Sequence, residues 1–233
     1  KKMTRRMKPR RVGNPFYFLP ARSEVRREPF GVALVFSPWN FPFQLAISPL
    51  VAAIAAGNCV ILKPSEMSPK TAELISKILR IAFDPAHATV VLGEAEVASK
   101  LLEQSFDFVF YTGSEKIGRI VAKAAADDLT PVVLELGGKC PAIVDRNADL
   151  DETAERIAGG KFFNAGQTCI APDFAVVPNE MREELVAKIR GYLEEWYGEG
   201  KKEDFSRIIN ARHFEHVSKA ICGEVIEIGK DEP

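Results

Sequence analysis

Cysteine is sparse. Cys59, Cys140, Cys169 and Cys222 are too few and too widely spaced for a small secreted disulfide scaffold, and no C-x-x-C pair exists to hold zinc. That usage fits a reducing, cytoplasmic compartment. Net charge is lacking too: 31 Lys and Arg against 32 Asp and Glu leave a formal charge of −1, so nothing global points to a nucleic-acid partner. The imbalance is local, in KKMTRRMKPRR, where seven of the first eleven residues are basic. With no aromatic-rich binding surface after it, this run reads as a solvated chain end rather than a phosphate-seeking tail. It is no secretory leader, because VGNPFYFLPARSEVRREP, which follows, has no sustained apolar core. Uninterrupted hydrophobic length is also missing. FPFQLAISPLVAAIAAGNCVIL, from Phe41 to Leu62, is uncharged and long enough for a bilayer, but Pro42 and Pro49 interrupt it and Gly57-Asn58 stops a helix before CVIL. The segment reads as a buried helix, a turn and a buried strand, with no membrane span.

What is present is alternation. GVALVFS (31–37), CVILK (59–63), ATVVL (88–92), FDFVFYT (106–112) and PVVLEL (131–136) are short continuous apolar runs, expected as strands buried on both faces. SPKTAELISKILRIAF opens with Ser68 as N-cap and Pro69 at the first helical position, and puts Leu74, Ile75, Ile78 and Leu79 on one face. SEKIGRIVAKAAADD opens the same way at Ser114. The fold class expected is α/β, a doubly wound parallel sheet whose ligands sit beyond the carboxyl ends of its strands.

Unusual residues collect at those strand ends: SPWN (37–40), KPSE (63–66), TGSEKIG (112–118) and LELGGK (134–139). TGS can be a plain cap and tight turn. It can also bring Gly113 and Ser114, with the N–H groups of a helix start, up to a pyrophosphate. KPSE is either a turn or a pair, Lys63 and Glu66, suited to ribose hydroxyls. Glu135 inside an apolar strand is costly unless it is paired or has a task. Further on, KFFNAGQTCIAPDF sets Cys169 in a loop of small and polar residues, three residues before Pro172.

SPWNFP, GNCVILKPSE, FYTGSEKIGR, TPVVLELGGKCP and NAGQTCIAPDF, in this order and spacing, resemble the aldehyde dehydrogenase superfamily, especially its class 3, fatty-aldehyde-oxidising branch. The resemblance runs from about Lys8 to about Gly223. It implies NAD(P)-dependent oxidation of an aliphatic or aromatic aldehyde to a carboxylic acid, with NAD favoured over NADP by Glu66. Cys169 is then the nucleophile, forming a thiohemiacetal and later a thioester. The Asn40 amide and the Cys169 backbone N–H are the oxyanion donors, and Glu135, with the raised pKa of a partly desolvated carboxylate, is the base for hydrolysis. Cofactor contacts fall on Ser37, Trp39, Lys63, Glu66, Gly113 and Ser114. His87, His213 and His216 lie outside the loops these motifs bring together, which argues against a peptidase-like Cys–His dyad. Cys59, Cys140 and Cys222 read as packing or incidental thiols.

Three parts are expected: residues 1–30 as a basic segment and oligomerisation hairpin, 31–138 as a Rossmann-like NAD(P)-binding domain, and 139–233 as a partial α/β catalytic domain. In the last, PAIVD, DFAVVP and EVIEIG read as strands, and LDETAERIAGGKFF, EELVAKIRGYLEEWYG and FSRIINARHFEHVSKAI as helices. The full-length protein is expected to be a homodimer. The family's E-x-F-G-P motif has no counterpart in these residues, so the chain is expected to be an internal fragment. The alternative to an enzyme is therefore a catalytically incomplete piece that binds nucleotide or another subunit.

Overall fold

Continuous aliphatic runs become the parallel strands of one sheet, because residues that are apolar on both sides need cover on both sides. The computed structural model describes residues 7–198, 203 and 205–221. The chain divides into two units, Lys1–Leu136 and Gly137–Pro233. In the first unit, β1 (Arg10–Val12) pairs antiparallel with β2 (Ser23–Val25), Arg10 opposite Val25. The strands β3 (Val32–Phe36), β4 (Cys59–Lys63), β5 (Ala88–Val90), β6 (Phe108–Gly113) and β7 (Val132–Leu136) then form a sheet of order β5-β4-β3-β6-β7, all parallel. Each crossover carries a helix: α1 (Gln44–Ala55), α2 (Pro69–Ala82), α3 (Ala95–Leu102) and α4 (Glu115–Asp127).

The period-two alternation of strand side chains divides the core in two. Val35, Val60 and Leu62 pack with Ala46 and Leu50 of α1 and with Ile75 and Leu79 of α2. Leu34, Phe36, Val109 and Tyr111 pack with Val121 of α4, joined by Ala98, Leu101 and Leu102 of α3. Helices thus cover both faces, and the sheet is doubly wound. Leu34, Leu50, Leu62 and Ile75 are almost wholly buried, each worth about 1.5–3 kcal/mol over an exposed side chain.

Local expectations need four corrections. α2 buries Ala72, Ile75, Ser76 and Leu79, whereas Leu74 and Ile78 are exposed, since they lie a full residue's rotation away from that stripe. Ser68 and Ser114 occupy the N-cap positions but make no side-chain capping bond. α3, eight residues long, was not foreseen. β7 is not buried on both faces: it is an edge strand, and Val133 and Glu135 are exposed. The uncharged stretch at 41–62 becomes α1, which runs through Pro49, then a turn with Gly57 at φ +93°, then β4. No helix among the described residues is long and apolar enough to cross a membrane.

In the second unit β8 (Cys140–Ile143) pairs parallel with β9 (Pro172–Val176), and α5 (Leu150–Phe162) links them. α6 (Arg182–Tyr197) packs on α5 through Ala154 and Leu185, with Val144 buried beside them. Asp149 caps α5, its Oδ1 accepting from the N–H groups of Asp151 (2.9 Å) and Glu152 (3.1 Å). α7 (Ala211–Ser218), the last helix among the described residues, is half as long as the pattern suggested, because Asn210 caps it late by accepting from His213 N–H at 2.9 Å. EVIEIG and Cys222 lie outside the described residues.

Candidate functional site

The strand order reverses between β3 and β6: from β3 the chain steps outward to β4 and β5, then crosses back to β6 on the other side. Such a switch point opens a crevice at the carboxyl ends of the strands. Phe36 of β3 stands level with Lys63 of β4 and Tyr111 of β6, so Ser37, Lys63 and Gly113-Ser114 leave adjacent strands at one edge of the sheet.

Ser37 is buried at 6% exposure, and its N–H donates to Lys63 O at 3.2 Å. Its Oγ has no hydrogen-bond partner among the described residues. An orphaned buried hydroxyl is a cost that a bound polar ligand removes. Lys63 is 4% exposed; its Nζ donates to Pro64 O at 3.1 Å and to Glu66 Oε2 at 2.9 Å. Desolvation pushes the Glu66 carboxyl upward, but the hydrogen bond and charge of Lys63, aided by a backbone bond, hold it below its ordinary value. Trp39 and Asn40 are half-buried in the bend between β3 and α1.

Gly113 has a steric reason of its own. A Cβ there would fall 2.3 Å from Tyr111 Oη. Tyr111 is buried, its hydroxyl donates to Ser114 O at 3.3 Å, and desolvation raises its pKa. Gly118 is likewise tight, a Cβ meeting Leu136 Cδ2 at 2.7 Å. The G-S-x-x-x-G spacing therefore seats α4 closely on β6 and β7, and leaves Ser114 exposed at the helix start. Glu135 stands level with Thr112 on β7. Its neighbours Leu134 and Leu136 join the core, so Glu135 takes the opposite face and is exposed. The expectation of a desolvated carboxylate inside a fully covered strand does not hold.

In the second unit, α5 ends in a left-handed turn: Asn164, Ala165 and Gly166 have φ of 52°, 54° and 73°. Only glycine adopts that region without cost, so Ala165 is strained. The turn is pinned by Gln167, whose Nε2 donates to Asn164 O at 2.9 Å and Arg207 O at 3.2 Å, while Ile209 N–H donates to its Oε1 at 2.9 Å. Thr168, Cys169, Ile170 and Ala171 form the next turn, with Ala171 N–H on Thr168 O at 3.1 Å. Cys169 is exposed at its crest. Asp173 follows, paired with Lys139 at 2.9 Å and Lys161 at 3.9 Å, and the Lys139 hydrogen bond leads in holding its carboxyl below its usual value. Gln167, Asp173 and Lys139 were missed by sequence reasoning, since their partners are distant in the chain or lie across the β8–β9 pair.

A parallel sheet wound on both faces, with polar residues gathered over its switch point, defines a dinucleotide-binding class of fold. The chain belongs to the aldehyde dehydrogenase family, whose profile matches residues 3–230. Aldehyde dehydrogenase family 3 member A2 of Macaca fascicularis is 46% identical over 207 residues, 88% of this chain and 43% of that protein. The substrate-bound structure of Staphylococcus aureus AldH aligns at TM-score 0.89 and 40% identity, over 94% of this chain and 49% of that one. Aldehyde dehydrogenase C of Pseudomonas syringae, solved as a cysteine-to-alanine mutant with NAD+ and octanal, aligns at TM-score 0.77 and 32% identity, over 84% and 42%. The chain spans about half the length of the relatives it matches.

Proposed function

We propose that these residues carry NAD(P)-dependent oxidation of an aliphatic or aromatic aldehyde to the carboxylic acid. The observation that carries the reading is Cys169, an exposed thiol that follows a strained left-handed turn held in shape by three hydrogen bonds of the Gln167 amide. A thiol so placed adds to the aldehyde carbon to give a thiohemiacetal, and loss of hydride leaves a thioester on the same sulfur. The Asn40 side-chain amide and the Cys169 N–H serve as donors to the oxyanion. Glu135, exposed and thus open to water, takes the proton of the water that hydrolyses the thioester. A nicotinamide dinucleotide, when bound, supplies the hydride acceptor. Residues 31–138 form its binding domain in this reading. The orphaned Ser37 hydroxyl and the α4 start at Gly113-Ser114 suit its phosphates; Lys63 and Glu66 take a ribose, and Trp39 flanks the site. The Glu66 carboxylate disfavours a 2′-phosphate, so NAD is preferred to NADP. Residues 139–233 belong to the catalytic domain, and the β1–β2 hairpin serves contacts between subunits of a homodimer.

A second reading is that these 233 residues bind nucleotide without turnover, favoured by their spanning about half of the relatives' length. Titration with NAD followed by addition of octanal separates the two. Binding with continuous NADH formation supports the enzyme; binding with none supports the second reading, and no binding at all overturns both.

A further inference from the structure

Cys140 opens β8, and its Sγ donates to the main-chain oxygen of Cys169 at 3.4 Å. Covalent geometry fixes a residue's Cα about 2.4 Å from its own carbonyl oxygen, which puts Cys169 Cα within about 6 Å of the Cys140 sulfur. A disulfide needs Cα atoms at about 4.4–6.8 Å and Cβ atoms at about 3.5–4.5 Å, so the two residues are neighbours whose sulfurs meet once the Cys169 side chain turns toward Cys140. Both cysteines lie in the second unit, Cys140 half-buried and Cys169 exposed. The Cys169 turn is a surface turn, with Ile170 at 77% exposure, so its side chain can swing toward Cys140 without opening a core. Cys59, in the first unit, has no such relation.

We infer that Cys140 and Cys169 form a peroxide-responsive thiol pair in which Cys140 resolves oxidation of Cys169. The inference rests on the reading of Cys169 as the reactive thiol. In the first step the Cys169 thiolate attacks one oxygen of a hydroperoxide; an S–O bond forms, the O–O bond breaks, and the leaving alkoxide or hydroxide takes up a proton. Cys169 is now a sulfenic acid. Cys140 then attacks that sulfur: the S–S bond forms, the S–O bond breaks, and hydroxide leaves as water with the Cys140 proton. The two sulfurs together have reduced one peroxide, and an added dithiol returns both to thiols. The disulfide silences the thiol reversibly and stops its oxidation to sulfinic acid, from which it would not recover. This assigns Cys140 a task in place of packing.

The test uses the whole chain, treated with hydrogen peroxide, blocked with N-ethylmaleimide, digested without reduction and mapped by mass spectrometry. The expected product is a peptide pair joining Cys140 to Cys169 that dithiothreitol separates. In Cys140→Ser, and in Cys140→Ala as a second variant should serine disturb β8, Cys169 should reach sulfinic acid several-fold faster than in the wild type, beyond recovery by dithiothreitol. Equal rates of sulfinic acid formation with and without Cys140 would overturn the inference. So would linkage of Cys169 only to Cys59 or Cys222, or a Cys169 inert to peroxide. Aldehyde oxidation that persists in Cys169→Ala would remove the catalytic reading alone, because the disulfide map does not depend on turnover.

Discussion

At Gly113 a single absent carbon has two competing explanations, and they predict different experiments. If the glycine makes room for Tyr111, whose Oη would sit 2.3 Å from a new Cβ, then Gly113→Ala should cost about 1–3 kcal/mol in urea unfolding. Gly118→Ala should cost less, because the flexible end of Leu136 can turn aside. A Gly113→Ala protein of wild-type stability that has lost NAD binding would assign the glycine to the pyrophosphate alone. Glu66 gives a prediction in pH. Its folded pKa lies below the ordinary 4.5, so its contribution to stability is complete above that value and is lost as pH falls through the lower, folded one. Glu66→Gln should therefore show a smaller fall in urea midpoint than the wild type as pH is taken from 7 down to about 3, below the ordinary carboxylate value; an equal fall removes the Lys63–Glu66 pair as a source of acid sensitivity. Residue by residue, the sequence located the polar positions well but not their surroundings. Glu135 looked buried because it interrupts PVVLEL, yet whether a strand lies at the centre or the edge of a sheet is settled by long-range pairing that no local pattern carries.

Elements were legible where their signal was continuous. The apolar runs of β3, β4 and β6 stand as strands with both faces covered, and Pro69 does begin α2. The short α3 went unseen because eight residues hold too few turns to display a period. Capping was misplaced for a physical reason: a serine at the right position caps only if its hydroxyl turns to the free N–H groups, and Ser68 Oγ donates instead to Ser65 O at 3.4 Å. Asp149 does cap, so Asp149→Ala should lower stability by about 1 kcal/mol in chemical denaturation; an unchanged midpoint would show that cap to be redundant. The loop after α5 depends on Gln167. Gln167→Ala, which removes the three side-chain hydrogen bonds that tie residue 167 to Asn164, Arg207 and Ile209, should raise the rate at which iodoacetamide alkylates Cys169 by several-fold. An unaltered rate would mean that the turn keeps its shape without the Gln167 side chain.

At the scale of the molecule, the second unit leaves apolar surface uncovered. Ile143 and Val176 stand opposite each other on β8 and β9 at 79% and 53% exposure, with Phe174 beside them at 49%. A parallel pair bare on one face is unusual, and such surface invites association. The 233-residue chain is expected to self-associate in sedimentation at micromolar concentration, and Ile143→Lys with Val176→Lys to reduce it; a monodisperse wild-type monomer would refute this. The central claim, however, is that Cys169 is the nucleophile of an aldehyde-oxidising enzyme. It is tested most directly in the protein extended to the length of its relatives, by NADH formation from octanal and NAD in the wild type and in Cys169→Ala. A fall of about 1,000-fold or more is expected in Cys169→Ala, with Cys59→Ala close to wild type. Comparable NADH formation by Cys169→Ala would contradict it.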